Sequence, residues 1–230
     1  MPAYINHILM AKDTLKKENN YLTTFSLAGD LTKFSKVRYK SHHELENEFI
    51  YHMADYIKIN KEENNECLLN TLYAHICHYV MDKTIHPLIR QTSKECESVG
   101  INNHTMLEFH YDKLLLENKY NIKYSKFKTN KLLSAKLKKV SKMIDYSYEK
   151  TYHIKHISNF YKLNILLYKS INILKIFPIK NILIKMFKYE KFIRINKDKL
   201  NEKEYFNLYE KSIEESIKYI EKINKYIENN

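Results

Sequence analysis

Glycine and proline are so scarce in this chain that they limit the folds open to it. Among 230 residues there are two glycines and three prolines. Turns between β-strands rely on glycine, asparagine-glycine or proline at nearly every connection, so a sandwich, a barrel or a series of βαβ units would need many more of them. The sequence therefore predicts an all-α protein.

The chain is long enough for one domain with a substantial core. Its hydrophobic fraction of 44% is that of an ordinary globular protein. No stretch reaches the ~18 apolar residues of a membrane-spanning helix. Three cysteines cannot all pair within one chain, and Pro2, Asn6 and His7 interrupt what would be the apolar run of a secretory signal. We therefore expect reduced thiols and a cytoplasmic location.

Charge and histidine divide the chain into two halves. Residues 1–117 carry 13 basic and 16 acidic side chains, whereas residues 118–230 carry 26 basic and 11 acidic side chains. Nine of the eleven histidines lie in the first 110 residues. We distinguish a His/Asp/Glu-rich helical region, residues 1–118, from a lysine-rich helical region, residues 119–230, and expect both to pack into one domain.

The excess of lysine in the second half has two interpretations. It can form a surface for phosphate-bearing partners, either an anionic membrane or nucleic acid, or it can reflect a compositional bias towards lysine, asparagine and isoleucine. Lysine outnumbers arginine 36 to 3, whereas a surface selected for phosphate should use more of arginine's bidentate contacts. Compositional bias is therefore at least as good an explanation.

Apolar periodicity and capping signals predict a series of helices. The predicted segments are 4–18, Ser41 to about Ile59, 68–85, 104–117, 131–152, 157–177, 179–192, and a last helix that Asn201 and Glu204 cap. The segment around Gly29 and Asp30 is expected to be a loop. The helix over 68–85 is expected to stop or kink at His86-Pro87, because the residue before proline is disfavoured in the α region.

The most apolar part of the chain, residues 163–187, carries a lysine every five or six residues. It can be a pair of helices lying in a membrane interface, with the lysines reaching lipid headgroups, or a buried helical hairpin that covers the core. We favour the buried hairpin, because amphipathic core helices are far more common than membrane-surface helices.

Histidine and carboxylate residues recur at helical spacing in the first half. His78, Asp82 and His86 stand at i, i+4 and i+8, which places three metal-competent side chains along one helix face. His104 and Glu108 repeat the i, i+4 spacing on the next helix. Imidazole with carboxylate is a ligand set suited to zinc, and burying so many titratable groups would be costly unless a cation or a charge partner compensates them. The pattern therefore predicts a metal site.

The other histidines need no metal to explain them. A single histidine on a helix is more often a hydrogen-bonded core or surface residue than a ligand, and we interpret four of them in this way: His52, His110, His153 and His156. His75 is ambiguous, because it lies one turn before His78 and can act as a partner that orients a ligand.

The order of these residues resembles the zinc-dependent phospholipase C family, whose distant structural relatives are the single-strand-specific zinc nucleases. The resemblance covers roughly the first 110 residues. It rests on a series of matching positions: His7, Asp30, His42 or His43, His78, Asp82, His86, His104 and Glu108.

The resemblance implies an all-helical domain around a polynuclear site of two to three zinc ions, with manganese or iron as alternatives. One ion would be held by Asp30, His42 or His43, His78 and Asp82. A second would be held by His86, His104 and Glu108, with open positions for water and substrate. Asp82 would bridge to a third ion, held by His7 and the main chain of the N-terminal residue.

The implied activity is hydrolysis of a phosphodiester, with a phospholipid as the first expectation for the substrate and nucleic acid as the second. In the family, the aspartate that matches Asp30 orients or deprotonates the attacking water. The competing hypothesis is a non-catalytic helical protein whose metal cluster is structural and whose basic half binds anionic membrane or nucleic acid. We expect peripheral membrane contact as a possible property, and we infer no obligate protein partner.

Overall fold

Helices form all of the regular secondary structure in the part of the chain that the structure describes. The computed structural model describes residues 4–32, 35–37, 46–60, 65–127, 133–174 and 179–229. The α-helices in these residues are α1 (Tyr4–Leu15), α2 (Asn20–Phe25), α3 (Glu46–Ile59), α4 (Asn65–Glu95), α5 (Asn103–Asn118), α6 (Ser141–Tyr152), α7 (Ser158–Leu174), α8 (Ile179–Asn196) and α9 (Glu202–Glu228). Four 3-10 helices accompany them: Ala28–Thr32, Tyr124–Lys126, Leu137–Lys139 and Lys197–Lys199. The prediction of an all-α protein is confirmed.

α4 is the central helix of the fold. Helices α1, α2, α3, α5 and α9 and the 3-10 helix Ala28–Thr32 all pack against it. α9, from the lysine-rich region, contacts α4 more extensively than any other helix does, and it also packs on α1. Buried apolar side chains from both regions belong to one continuous core. The lysine-rich region therefore supplies part of the packing that holds α1 and α4 in place.

α4 continues through its proline, so of the two expected outcomes at His86-Pro87, a stop or a kink, the stop is wrong. Pro87 lies on the exposed side of the helix, where water can solvate the Lys83 carbonyl that would otherwise accept the missing N–H. Leu88 and Ile89, which follow the proline, are buried in the core. Their burial stabilises the helical conformation beyond the proline and offsets the lost hydrogen bond.

The segment predicted as a loop around Gly29 and Asp30 is helical instead. α2 begins after Asn19, whose side chain accepts a hydrogen bond from the Tyr21 N–H at 2.8 Å. Phe25 is fully buried at the end of α2. The chain then turns into the 3-10 helix Ala28–Thr32, so Asp30 is held on a short helix against α4.

Several predicted helix boundaries also differ from the observed ones. α1 ends at Leu15 and not at residue 18, because Lys16 adopts a left-handed φ of 49°. In the described part of 131–152, α6 begins only at Ser141, after the 3-10 helix Leu137–Lys139. Asn201 also has a left-handed φ, of 50°, and its side chain makes no capping hydrogen bond, so the cap predicted for the last helix is wrong. The start predicted at Ser41 lies outside the described residues.

One face of α7 is buried and the other is exposed. Tyr161, Ile165 and Tyr168 are buried, as a core hairpin requires. Leu163 and Leu166 on the opposite face are 46% and 64% exposed. The expectation of a buried hairpin thus holds for only one face of α7. Among the described residues, no helix combines the length and the apolar character needed to cross a bilayer.

Candidate metal centre

The ligand stripe predicted on α4 is present, and a carboxylate lies at its centre. His78 Nε2 lies 3.3 Å from Asp82 Oδ2, and His86 Nε2 lies 3.2 Å from Asp82 Oδ1. Because α4 remains helical through Pro87, His86 keeps the i+4 position relative to Asp82. If the helix stopped at His86, it would not hold the His86 side chain beside Asp82.

α1 adds a third imidazole to the same carboxylate. His7 Nε2 lies 3.4 Å from Asp82 Oδ1, and the His7 ring stacks on the His78 ring with centroids 4.2 Å apart. The side chains of His7 and His78 are 4% and 5% exposed, and that of Asp82 is 14% exposed. One ligand atom from each of His7, His78 and Asp82 lies within 4.8 Å of the other two.

The separations between these atoms fit ligands of a shared ion. Two atoms that each lie 2.0 to 2.2 Å from a tetrahedral zinc are about 3.3 to 3.6 Å apart. The three distances to Asp82 lie between 3.2 and 3.4 Å. A direct hydrogen bond between imidazolium and carboxylate would be shorter, about 2.7 to 2.9 Å. His7, His78 and Asp82 therefore have the spacing and the chemistry to hold a divalent cation, and without one His78 and Asp82 form an ion pair.

His78 is oriented by the main chain of the neighbouring segment. Its Nδ1–H donates to the Ser26 carbonyl at 2.8 Å, which directs Nε2 towards Asp82. This is the arrangement in which a histidine ligand is held by a hydrogen bond from its second nitrogen. Burial lowers the pKa of His78, but the nearby carboxylates of Asp82 and Asp30 and the Ser26 carbonyl outweigh it and raise the pKa to about 9.

Asp30 belongs to the surroundings of His78. It lies on the 3-10 helix Ala28–Thr32, which packs on α4, and its carboxylate is close enough to raise the pKa of His78. Its backbone N–H donates to the Leu27 carbonyl at 2.8 Å, which fixes the turn that carries it. Asp30 thus lies near His78, and its role as a metal ligand stays a prediction.

α5 carries the second predicted pair. His104 Nε2 lies 3.1 Å from Glu108 Oε1, and Glu108 is buried. The His104 ring meets the His86 ring edge to face, with centroids 5.5 Å apart. His86 therefore stands between Asp82 and the pair on α5. The ligand set is one connected cluster that runs from His7 through Asp82 and His86 to Glu108.

A further carboxylate, which sequence reasoning missed, holds α1 in place. Asp112 is 2% exposed and its Oδ1 accepts a hydrogen bond from the Asn6 backbone N–H at 2.8 Å. That N–H belongs to the first turn of α1, one residue before His7, where a negative charge is favourable. Asp112 stands four residues after Glu108 on α5, so extending the i, i+4 pattern by one step would have identified it.

His75, whose role the sequence left ambiguous, has both ring nitrogens bonded to groups other than His78. Its Nδ1–H donates to the Thr71 carbonyl at 2.8 Å, and its Nε2 accepts from the Tyr161 hydroxyl at 3.0 Å. The ring lies among the aromatic rings of Phe25 and Phe49 in the core. Burial lowers the pKa of His75 to about 4, because the apolar surroundings disfavour the charged form.

The remaining histidines lie apart from this cluster or outside the described residues. His52 contacts the Thr151 hydroxyl at 2.9 Å, and His110 contacts Tyr189 and Glu202. His153 and His156 are exposed, as expected of surface residues. Both candidate ligands at the third predicted position, His42 and His43, lie outside the described residues.

Exposure rises from one end of the cluster to the other. The His7 and His78 side chains are almost fully buried, whereas those of His86 and His104 are 24% and 32% exposed. Solvent therefore reaches the cluster between α4 and α5.

Comparison of the chain with protein-family models, with curated proteins and with solved structures finds no match. The resemblance to the zinc-dependent phospholipases C therefore stays a prediction that rests on the order of the ligand residues.

Proposed function

We propose that the protein is a metal-dependent phosphodiester hydrolase of the phospholipase C type, with zinc as the expected metal. One observation carries the proposal: three imidazoles, from His7, His78 and His86, surround the Asp82 carboxylate at the spacing of metal ligands. Two of them come from one helix and the third from a helix that is distant in sequence. Their convergence is therefore a property of the fold and not of local sequence alone.

The two oxygens of Asp82 favour more than one ion. Oδ2 faces His78, whereas Oδ1 faces both His7 and His86. Asp82 would therefore be available as a ligand both to an ion near His78 and to an ion near His86. His104 and Glu108 extend the ligand set beyond His86. We assign one ion to the surroundings of His7, His78 and Asp82, and another to His86, His104 and Glu108.

Ions bound there would lower the pKa of a coordinated water towards ~7 and neutralise charge on the phosphate oxygens. The residues of the chain perform the other tasks. The Ser26 carbonyl holds His78 in the tautomer that presents Nε2, and Asp112 holds the first turn of α1 so that His7 reaches Asp82. Asp30 orients the attacking water or accepts its proton, as the resemblance implies.

A phospholipid headgroup is the expected substrate because the resemblance to the phospholipase C family implies it. The cluster opens to solvent between α4 and α5, at His86 and His104, which gives a phosphodiester access to it. The same opening argues against the competing hypothesis of a purely structural metal cluster. Structural zinc sites are closed by four protein ligands, whereas catalytic sites keep a position for water or substrate.

Metal analysis and a phosphodiester assay test the proposal together. The purified protein should contain more than one equivalent of zinc by elemental analysis, and it should hydrolyse a soluble phosphodiester with activity that chelation abolishes. The variant carrying His78→Ala and His104→Ala should lose both metal and activity. The matched control carries His52→Ala and His156→Ala, which removes two imidazoles outside the cluster and should change neither.

Two outcomes would contradict the proposal. Protein that is metal-free as isolated and gains no activity with zinc, manganese or iron is not a metallohydrolase. Protein that holds metal but has no hydrolytic activity, and that binds phosphate-bearing polymers in a way that salt weakens and chelation does not, fits the non-catalytic hypothesis instead.

A further inference from the structure

Exposed apolar side chains are concentrated on α7, and one more lies on α8. Among the described residues, the large hydrophobic side chains exposed at the surface are Ile59, Leu163, Leu166, Leu167, Phe187 and Ile217. Four of these six belong to α7 and α8. Phe187 is 70% exposed and Leu166 is 64% exposed. Scattered exposed leucines are ordinary, but a group of them on one surface marks an interaction site.

The leucines share one face of α7. Leu163, Leu166 and Leu167 stand at i, i+3 and i+4, which places them side by side on the helix surface. The opposite face is packed in the core through Tyr161 and Tyr168. Over residues 158–169, α7 therefore has two apolar faces, and only one of them is covered by the described part of the protein.

The charge of this part of the chain has a single sign. Residues 150–189 contain eight lysines and neither aspartate nor glutamate. Lys162, next to Leu163, is exposed, whereas Lys155 is paired at 3.1 Å with Glu149, which lies just outside this range. Leucines flanked by lysines without any carboxylate match an anionic lipid surface, because the apolar side chains enter the interface while the ammonium groups reach the headgroups.

α7 also lies beside the candidate metal centre. Asn164 Nδ2 donates to the Leu31 carbonyl at 2.9 Å, and Leu31 follows Asp30 in the 3-10 helix Ala28–Thr32. The Tyr168 ring lies 5.8 Å from that of Tyr4, one turn before His7 on α1. A membrane that contacts α7 would thus be held near the elements that carry Asp30 and His7.

We propose that the exposed face of α7, formed by Leu163, Leu166 and Leu167 on a helix whose described charged side chains are Lys162 and Lys169, docks the protein on an anionic lipid bilayer. The role of this docking in bringing phospholipid to the metal centre rests on the proposed function, but the docking itself does not. Nucleic acid fits this face less well, because aliphatic side chains gain nothing from phosphate and α7 contains no arginine.

Vesicle binding by the full chain tests the proposal. We expect the protein to bind vesicles of phosphatidylcholine with phosphatidylserine, and to bind pure phosphatidylcholine far more weakly. The variant carrying Leu163→Gln and Leu166→Gln should bind the anionic vesicles at least about tenfold more weakly, because the exposed parts of the two leucines together amount to roughly one leucine side chain.

The matched control carries Ile59→Gln and Ile217→Gln, which removes two exposed apolar side chains on α3 and α9. This control should bind like the unmodified protein. All four substitutions replace exposed side chains on helices with a good helix former, so circular dichroism and thermal unfolding should be unchanged. Equal loss of binding in both double variants, or no binding of anionic vesicles by the unmodified protein, would overturn the proposal. Binding to single-stranded RNA with no binding to vesicles would overturn it in favour of a nucleic-acid surface.

Vesicle binding by the variant that carries His78→Ala and His104→Ala separates this proposal from the proposed function. If docking is a property of α7, this variant should bind anionic vesicles as the unmodified protein does, whether or not it holds metal. Loss of hydrolysis of a soluble phosphodiester in the same variant reports on the metal centre alone. Loss of vesicle binding in this variant, with its fold intact by circular dichroism, would count against a docking face on α7.

Discussion

Replacing His75 by phenylalanine should make the protein more resistant to acid. His75 is buried among Phe25, Phe49 and Tyr161, where a phenylalanine ring can take its place. The Tyr161 hydroxyl would lose the His75 nitrogen but would keep its contact with the Tyr148 hydroxyl at 3.2 Å. The substitution therefore removes a titrating group while leaving most of the packing intact.

The magnitude follows from the pKa of His75 in the two states. Burial lowers it to about 4 in the folded protein, whereas an unfolded chain has the ordinary value of 6.5. As the pH falls below 6.5, His75 becomes protonated in the unfolded state but stays neutral in the folded state until about pH 4. Acid therefore favours unfolding across this window. Between pH 7.5 and pH 4.5 the loss from this one residue is about 2 to 3 kcal/mol.

Urea unfolding of both proteins at pH 7.5 and pH 4.5, with a chelator present throughout, measures the effect. Other titrating groups are common to both proteins and cancel in the difference between them. The unmodified protein should lose about 2 to 3 kcal/mol more than the variant on going to pH 4.5. Equal losses in the two proteins would refute the assignment of His75 as a buried neutral histidine.

Three further substitutions have definite expected outcomes. Asp30→Asn should lower kcat on a soluble phosphodiester by about 10²-fold to 10⁴-fold through loss of the water-activating carboxylate, with the zinc content by elemental analysis reduced by less than one equivalent. Asp112→Ala should weaken zinc binding in a competition titration with a chromogenic chelator, because the first turn of α1 loses the acceptor for the Asn6 N–H; unchanged affinity would deny Asp112 a positioning role. Pro87→Ala should raise the free energy of unfolding by about 1 to 3 kcal/mol, since the new N–H can donate within α4, and a destabilised variant would contradict this account of the proline.

Ligand spacing along a helix was the part of the site that the sequence could predict. The i, i+4 pattern depends on helix geometry alone, so His78 with Asp82 and His104 with Glu108 needed no knowledge of the fold. The approach of His7 to Asp82 depends on how α1 packs across α4, and no local pattern encodes that. The sequence indicated the approach of His7 to Asp82 only through the resemblance to the phospholipase C family.

Burial explains where the sequence was misleading. The rule that helices end before proline predicted a break at Pro87, but the buried side chains of Leu88 and Ile89 favour continuation of α4. His75 looked like a partner of His78 because the two are one turn apart, yet its ring faces the aromatic core. The exposed leucines of α7 look like core leucines in the sequence. Only the structure shows that the opposite face of α7 packs in the core and that these leucines stay exposed.

The most direct test of the central claim is zinc K-edge X-ray absorption spectroscopy on the purified protein after loading with zinc. If imidazoles and carboxylates of the cluster around Asp82 hold the metal, the spectrum should show only nitrogen and oxygen ligands at about 2.0 to 2.2 Å, with the scattering pattern of histidine. The variant Asp82→Ala should lose this signal. A spectrum dominated by sulfur at about 2.3 Å, or zinc that stays fully hydrated, would contradict the claim.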